Sequence, residues 1–99
     1  MRPSQILDNH RSEVREIMAR YPMFANLRLI GSVARGEDTE DSDIDFVVDP
    51  LPGSNLCNLG GLIEDLENLL GIHVDVLSSR ADMGRHMRMC VERDAVAYE

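Results

Sequence analysis

The order of apolar patterns along the chain predicts a small α+β fold, a mixed β-sheet with helices packed on one face. Three observations carry this. A short apolar strand-like run lies at residues 27–30, and runs with period-two alternation lie at 43–49 and 72–77. Apolar residues at helical spacing fill the stretches before, between and after them. The resulting order is helix, strand, strand, helix, strand, helix, and three strands with helices on one side make a small two-layer sandwich. One sheet face then packs on helices and the other is left to hold polar groups.

Each element has a local reason. Ile6, Leu7, His10, Val14, Ile17 and Met18 recur at helical spacing, with Ser4 as an N-cap, and Tyr21-Pro22 stops that helix. His10, on the apolar stripe, is expected to be half-buried. Leu27 to Ile30 reads as a short buried strand ending at Gly31, followed by a polar, acidic stretch over 32–42 made of a short helical turn and a loop. From Asp43 to Asp49, Ile44, Phe46 and Val48 face one way while Asp43, Asp45 and Val47 face the other. Pro50, Pro52 and Gly53 then make a loop. Leu56, Leu59, Leu62, Ile63, Leu66, Leu69 and Leu70 define a second helix, capped by Ser54 or Asn55 and closed by Gly71 in the left-handed conformation. Its Gly60-Gly61 pair costs roughly 1 kcal/mol per glycine relative to alanine, which delays the expected helix entry to about Gly61. Ile72, Val74 and Val76 point inward from a third strand, with His73 and Asp75 opposite. A last helix is expected over 82–93, with Met83, Met87 and Cys90 toward the core and Met89 exposed; Val96-Ala97-Tyr98 adds an edge strand.

With 99 residues and 43% apolar content, the chain is expected to form one domain, residues 1–99, with one modest core. Net charge is −8 and there is no basic stripe, which argues against stable nucleic-acid binding, since that depends on Lys and Arg neutralising phosphates. The chain has no lysine, so its ten fixed positive side chains are all arginines. The amphipathic, charged start carries no signal-peptide h-region, and no apolar run approaches the ~20 residues of a membrane span. Cys57 and Cys90 have neither a CxxC nor a Cys/His spacing and read as small apolar fillers, so no disulfide framework or zinc site is expected and a reducing cytoplasm fits. Arg80, Arg85, Arg88 and Arg93 form the one locally basic region, read as a solvated helix face. The run Glu37, Asp38, Glu40 and Asp41 reads as a solvated loop, and His73 and His86 as surface or packing residues.

The stretch from Gly31 to Asp45 carries most of the functional signal. Strand period places Asp43 and Asp45 on one face, roughly 6–7 Å apart at Cα. Carboxylates that close repel unless a cation sits between them, and the favoured cation is hard and oxygen-liking, Mg²⁺ or Mn²⁺. Asp75 points from the non-core face of another strand, and if the two strands pair, three carboxylates converge. Gly31 lets backbone approach phosphates, the Ser32 hydroxyl and N–H can bind phosphate oxygens, and Arg35 either reaches the same oxygens or pairs with Glu37 or Asp38. Metal-bound nucleoside triphosphate is the ligand this combination suits.

The pattern resembles the DNA polymerase-beta-like nucleotidyltransferases, above all the minimal nucleotidyltransferases. Their signature is Gly-Ser, ten residues, then Asp-x-Asp; here Gly31-Ser32 precedes Asp43-Ile44-Asp45 at that spacing. Ala34, Arg35, Gly36, Glu37 and Ser42 match the extended form, and Asp75 within Ile72-His73-Val74-Asp75-Val76 fits the slot of the third carboxylate. The resemblance covers about residues 3–98. It implies a polymerase-beta-like nucleotidyltransferase fold in which Asp43, Asp45 and Asp75 bind metal and are catalytic, and Asp75 accepts the proton of an attacking hydroxyl. It implies that Gly31 and Ser32 hold the phosphates of a nucleotide, and ATP as the donor. It further implies an antitoxin that transfers AMP to a tyrosine of a HEPN-family ribonuclease toxin. Two alternatives stand beside that reading: nucleotidyl transfer to a small hydroxylated molecule, as in aminoglycoside-modifying relatives, and a non-catalytic module that neutralises a partner by binding.

Overall fold

A computed structural model of the chain describes residues 1–81 and 83–98. In order it contains α1 (Pro3–Asn9), α2 (Arg11–Ala19), β1 (Phe24–Ile30), α3 (Gly31–Arg35), β2 (Ile44–Pro50), α4 (Leu56–Leu70), β3 (Val74–Ser78), α5 (Arg85–Asp94) and β4 (Val96–Ala97). The strands form one mixed sheet in the order β3-β2-β1-β4. β1 runs antiparallel to β2 and to the edge strand β4, whereas β2 and β3 are parallel. Parallel neighbours need a crossover, and α4 supplies it.

One sheet face meets α1, α2 and α4 in a core that includes Leu7, Val14, Ile17, Phe46, Leu62, Leu66, Val74 and Val76. Fully burying a side chain of this size contributes about 1.5–3 kcal/mol, so the leucine stripe of α4 is a main source of stability. Tyr98 closes the core from the C-terminal side: its hydroxyl donates to the Leu7 carbonyl (2.8 Å) and its ring meets Phe46 edge-on. The opposite face is not left wholly to polar groups. There Ile30, Val47 and Val91 pack together with Leu77, Met83 and Ala95, seating α5 over that face.

Several local expectations need correction. The first helix is two: His10 leaves helical geometry (φ −125°, ψ 22°) while its ring Nδ1 lies 3.0 Å from the Ile6 carbonyl, half-buried as expected. Ser4 is not the cap, because Pro3 already occupies the first turn, where its missing N–H costs nothing. The Ser4 N–H instead donates to Asp38 (2.9 Å), which is 5% exposed and so leaves the expected solvated loop. β1 starts three residues early, through an irregularity at Asn26 (φ 57°), whose side-chain amide donates to Asp49. α4 begins at Leu56 rather than near Gly61. Asn55 accepts from the Asn58 N–H (2.8 Å) and Asn58 returns the bond (3.2 Å), a reciprocal cap that offsets the two glycines. Gly61 also leaves room for Tyr21, whose hydroxyl donates to Asp65 at 2.6 Å. Gly71 closes α4 at φ 73° as expected.

Leu56 is 84% exposed and Cys57 is exposed too, so neither belongs to the core. Both sit in the first turn of α4, ahead of the face that touches the sheet. α5 opens at Arg85; position 82, where that helix was expected to begin, lies outside the described residues. Met87 is exposed rather than in the core, while the four arginines around α5 are solvent-facing as expected. Among the described residues, no helix is long and apolar enough to cross a membrane.

Candidate active site

The parallel register of β2 and β3 sets Asp45 directly beside Asp75. Both neighbours in each strand, Ile44 and Phe46 on one, Val74 and Val76 on the other, are buried in the main core, so the two aspartates must emerge on the opposite face. Asp43 sits just ahead of β2 and is exposed; the adjacent Ile44 N–H donates to the His73 carbonyl, which holds the strand starts together. Burial, then the charges of Asp75 and Asp43, push the Asp45 carboxyl above its ordinary pKa. The charges of both other acids therefore reach Asp45.

Gly31 follows β1 directly, and Ile30 pairs with Asp45. Gly31 has φ +74°, and a Cβ there would stand 3.1 Å from Asp45 Oδ2. Glycine is thus required twice, by the backbone angle and by the carboxylate above it. α3 starts at this residue with no side-chain cap, so the N–H groups of its first turn lack helical partners. Gly36, at φ +72°, ends it.

A cleft of about 310 Å³ opens between α5 and the sheet. Asp45, Asp75, Ile30 and Leu77 form its floor, Gly31 and Arg35 one side, and His86, Met87, Cys90, Val91 and Asp94 the other. Ser32 and Asp43 flank this cleft without lining it. Arg35 does not stand free: Nε donates to Glu37 Oε2 and Nη1 to Asp94 Oδ2, each at 3.0 Å. The Glu37 partnership is one the sequence offered; Asp94 was not foreseen, because nothing in the pattern of α5 marks it.

His73 is the other residue that sequence reasoning placed too blandly. Its Nε2 lies 3.5 Å from Asp75 Oδ2 and its Nδ1 3.0 Å from Glu67 Oε2. The charge of Asp75, with smaller contributions from Asp43 and Glu67, raises the imidazole pKa. A signal was available, since His73 and Asp75 share a strand face by period two.

Among the described residues, no three His, Cys, Asp or Glu side chains stand close enough together to share a metal ion as placed. The donor set nonetheless suits a hard divalent cation: the charges of Asp75 and Asp43 act against ionisation of Asp45, and His73 offsets them in part.

Comparison with known proteins agrees with this geometry. The pattern of the family described as "Nucleotidyltransferase domain" matches residues 11–96. A Methanocaldococcus jannaschii protein provisionally named protein adenylyltransferase MJ1379 is 32% identical over 94 residues, covering 86% of this chain and 94% of its own. The protein adenylyltransferase MntA of Thermococcus cleftensis is 40% identical over 72 residues, covering 73% and 69%. A solved structure provisionally identified as a minimal nucleotidyltransferase superposes with a TM-score of 0.78 at 38% identity, over 94% of this chain and 93% of that one. A toxin–antitoxin crystal structure with AMP-PNP shares the fold at a TM-score of 0.74 and 19% identity, over 90% and 72%. The small mixed sheet, the Gly-Ser turn beside paired strand aspartates and these matches together establish the chain as a member of the nucleotidyltransferase domain family, with the minimal nucleotidyltransferase fold.

Proposed function

We propose that this protein transfers AMP from ATP to a hydroxyl group, a tyrosine, on a partner HEPN-family ribonuclease toxin, and acts as its antitoxin. The observation that carries the reading is the register of Asp45 against Asp75 at the foot of one cleft, beside Gly31. Relatives named protein adenylyltransferase support the choice of reaction. Asp43, Asp45 and Asp75 would hold Mg²⁺ or Mn²⁺. When bound, such an ion supplies positive charge to the triphosphate and lowers the cost of building charge at the reacting phosphorus.

The chain's own groups do the rest. The Gly31 and Ser32 N–H groups and the Ser32 hydroxyl orient phosphate oxygens, and Arg35 adds positive charge at the rim. The acceptor oxygen forms a bond to the α-phosphorus while the bond to the bridging oxygen breaks and pyrophosphate leaves. Asp75, whose side chain is 56% exposed, takes the acceptor's proton.

The test incubates the protein with the product of its neighbouring gene, labelled ATP and Mg²⁺. Label should reach the neighbour's tyrosine, and Asp43→Ala or Asp45→Ala should abolish it. Neutralisation of the partner that survives both substitutions would identify a binding module instead; label on an aminoglycoside-like small molecule and none on protein would identify a small-molecule enzyme.

A further inference from the structure

Asp94 is the last residue of α5, 59 positions from Arg35 in sequence, yet the two meet at the rim of the cleft. The Asp94 side chain is only 7% exposed. Its Oδ1 accepts from Arg93 Nε (2.9 Å) and its Oδ2 from Arg93 Nη2 (3.2 Å) as well as from Arg35 Nη1 (3.0 Å). Arg35 is thereby held at two of its three nitrogens, Nε by Glu37 and Nη1 by Asp94, and Nη2 has no protein partner among the described residues. An arginine that merely screened surface acids would gain little from a nearly buried carboxylate on a distant helix. A guanidinium gripped on two sides loses less rotamer freedom when a phosphate arrives at the third.

We propose that Asp94 is a positioning residue: it fixes the Arg35 guanidinium at the cleft rim so that Nη2 is left for a phosphate oxygen of the nucleotide. The same contact ties α3, which carries the phosphate-binding turn, to α5, which walls the cleft. The inference rests on the functional reading above, because it needs a nucleotide beside Gly31.

The test measures binding of AMP-PNP with Mg²⁺ by calorimetry, with thermal unfolding recorded alongside. Asp94→Ala and Arg35→Ala should each weaken binding by roughly tenfold, the low end for a hydrogen bond to a charged group, as suits a partly exposed site. The double variant should bind no worse than Arg35→Ala alone, since Asp94 acts only through Arg35. Should Asp94→Ala fail to fold, Asp94→Asn keeps the shape and one acceptor oxygen, and should still weaken binding measurably and non-additively with Arg35→Ala. Unchanged affinity in the Asp94 variants, or losses that multiply in the double variant, would overturn the assignment and leave Asp94 as a fastener of α5. A wild-type chain that binds no nucleotide at all would overturn the functional reading, and this inference with it.

Discussion

Gly31→Ala and Gly36→Ala form a matched pair that separates backbone strain from damage to the site. Both glycines sit at nearly the same left-handed angle, φ +74° and +72°. Placing alanine there costs about 1–2 kcal/mol by the clash of Cβ with the following carbonyl. For a chain of this size that lowers Tm by roughly 4–8 °C per kcal/mol, similarly in the two variants. They differ in what a Cβ meets: nothing lies within 4 Å of one at position 36, whereas Asp45 Oδ2 lies 3.1 Å from one at position 31. In Gly31→Ala the carboxylate must give by a few tenths of an ångström, away from its place beside the turn. Misplacing a reacting group by about 1 Å costs roughly a hundredfold in rate, and a shift of a few tenths a proportionate part of that. Differential scanning fluorimetry should therefore give comparable Tm losses, while single-turnover transfer from ATP should fall several-fold in Gly31→Ala and stay near wild type in Gly36→Ala. Equal activity in the two variants would refute the idea that the missing Cβ protects Asp45.

Other consequences can be read the same way. The raised pKa of Asp45 means that the fold prefers its protonated form, so its contribution is favourable at pH below the ordinary carboxylate value and is lost as pH rises through the raised one. Without divalent ions, Asp45→Asn should therefore melt higher than wild type at pH 7, with the gap closing in acid; a lower Tm at pH 7 would contradict this. Mg²⁺ at about 100 times its Kd should stabilise the wild type by about 2.7 kcal/mol and the Asp45→Asn protein far less, measured by thermal shift. Tyr98→Phe removes the hydrogen bond to the Leu7 carbonyl and should cost about 1 kcal/mol in urea unfolding, without affecting transfer, because Tyr98 lies on the core side of the sheet. Leu56→Ser should stay within about 0.5 kcal/mol of wild type despite its place in the leucine pattern, as its side chain is exposed.

How much of this was legible in the sequence depended on what each pattern reports. Period two registers which side of a strand is buried, so Ile44, Phe46 and Val48 against Asp43 and Asp45 disclosed the main core and the acidic face together. It does not say what covers the second face. Val47, apolar among those aspartates and fully buried, was the trace of α5. Asp38 and Asp94 escaped for a different reason: a carboxylate held by partners looks like any surface acid until those partners are known. Those partners, the Ser4 N–H and the Arg35 guanidinium, come from 34 and 59 positions away. Propensity misled at Gly60-Gly61, where the Asn55–Asn58 cap outweighs two poor helix formers.

The core also explains how so short a chain can hold acids that repel one another. A one-residue slip would turn Asp45 into the main core and drive Ile44 and Phe46 out if β2 moved, or turn Asp75 in and drive Val74 and Val76 out if β3 did. Burying even one unpaired carboxylate costs several kcal/mol, and exposing each large apolar side chain about 1.5–3 kcal/mol more. The apolar alternation of the two strands therefore enforces the alignment of the acids on the other side, and no contact among the acids is needed to do so. Electrostatic strain at Asp45 is carried by packing of Phe46 and Val76 one residue further along, on the opposite face of the same sheet. The acids are aligned by residues that lie on the other side of the sheet from them.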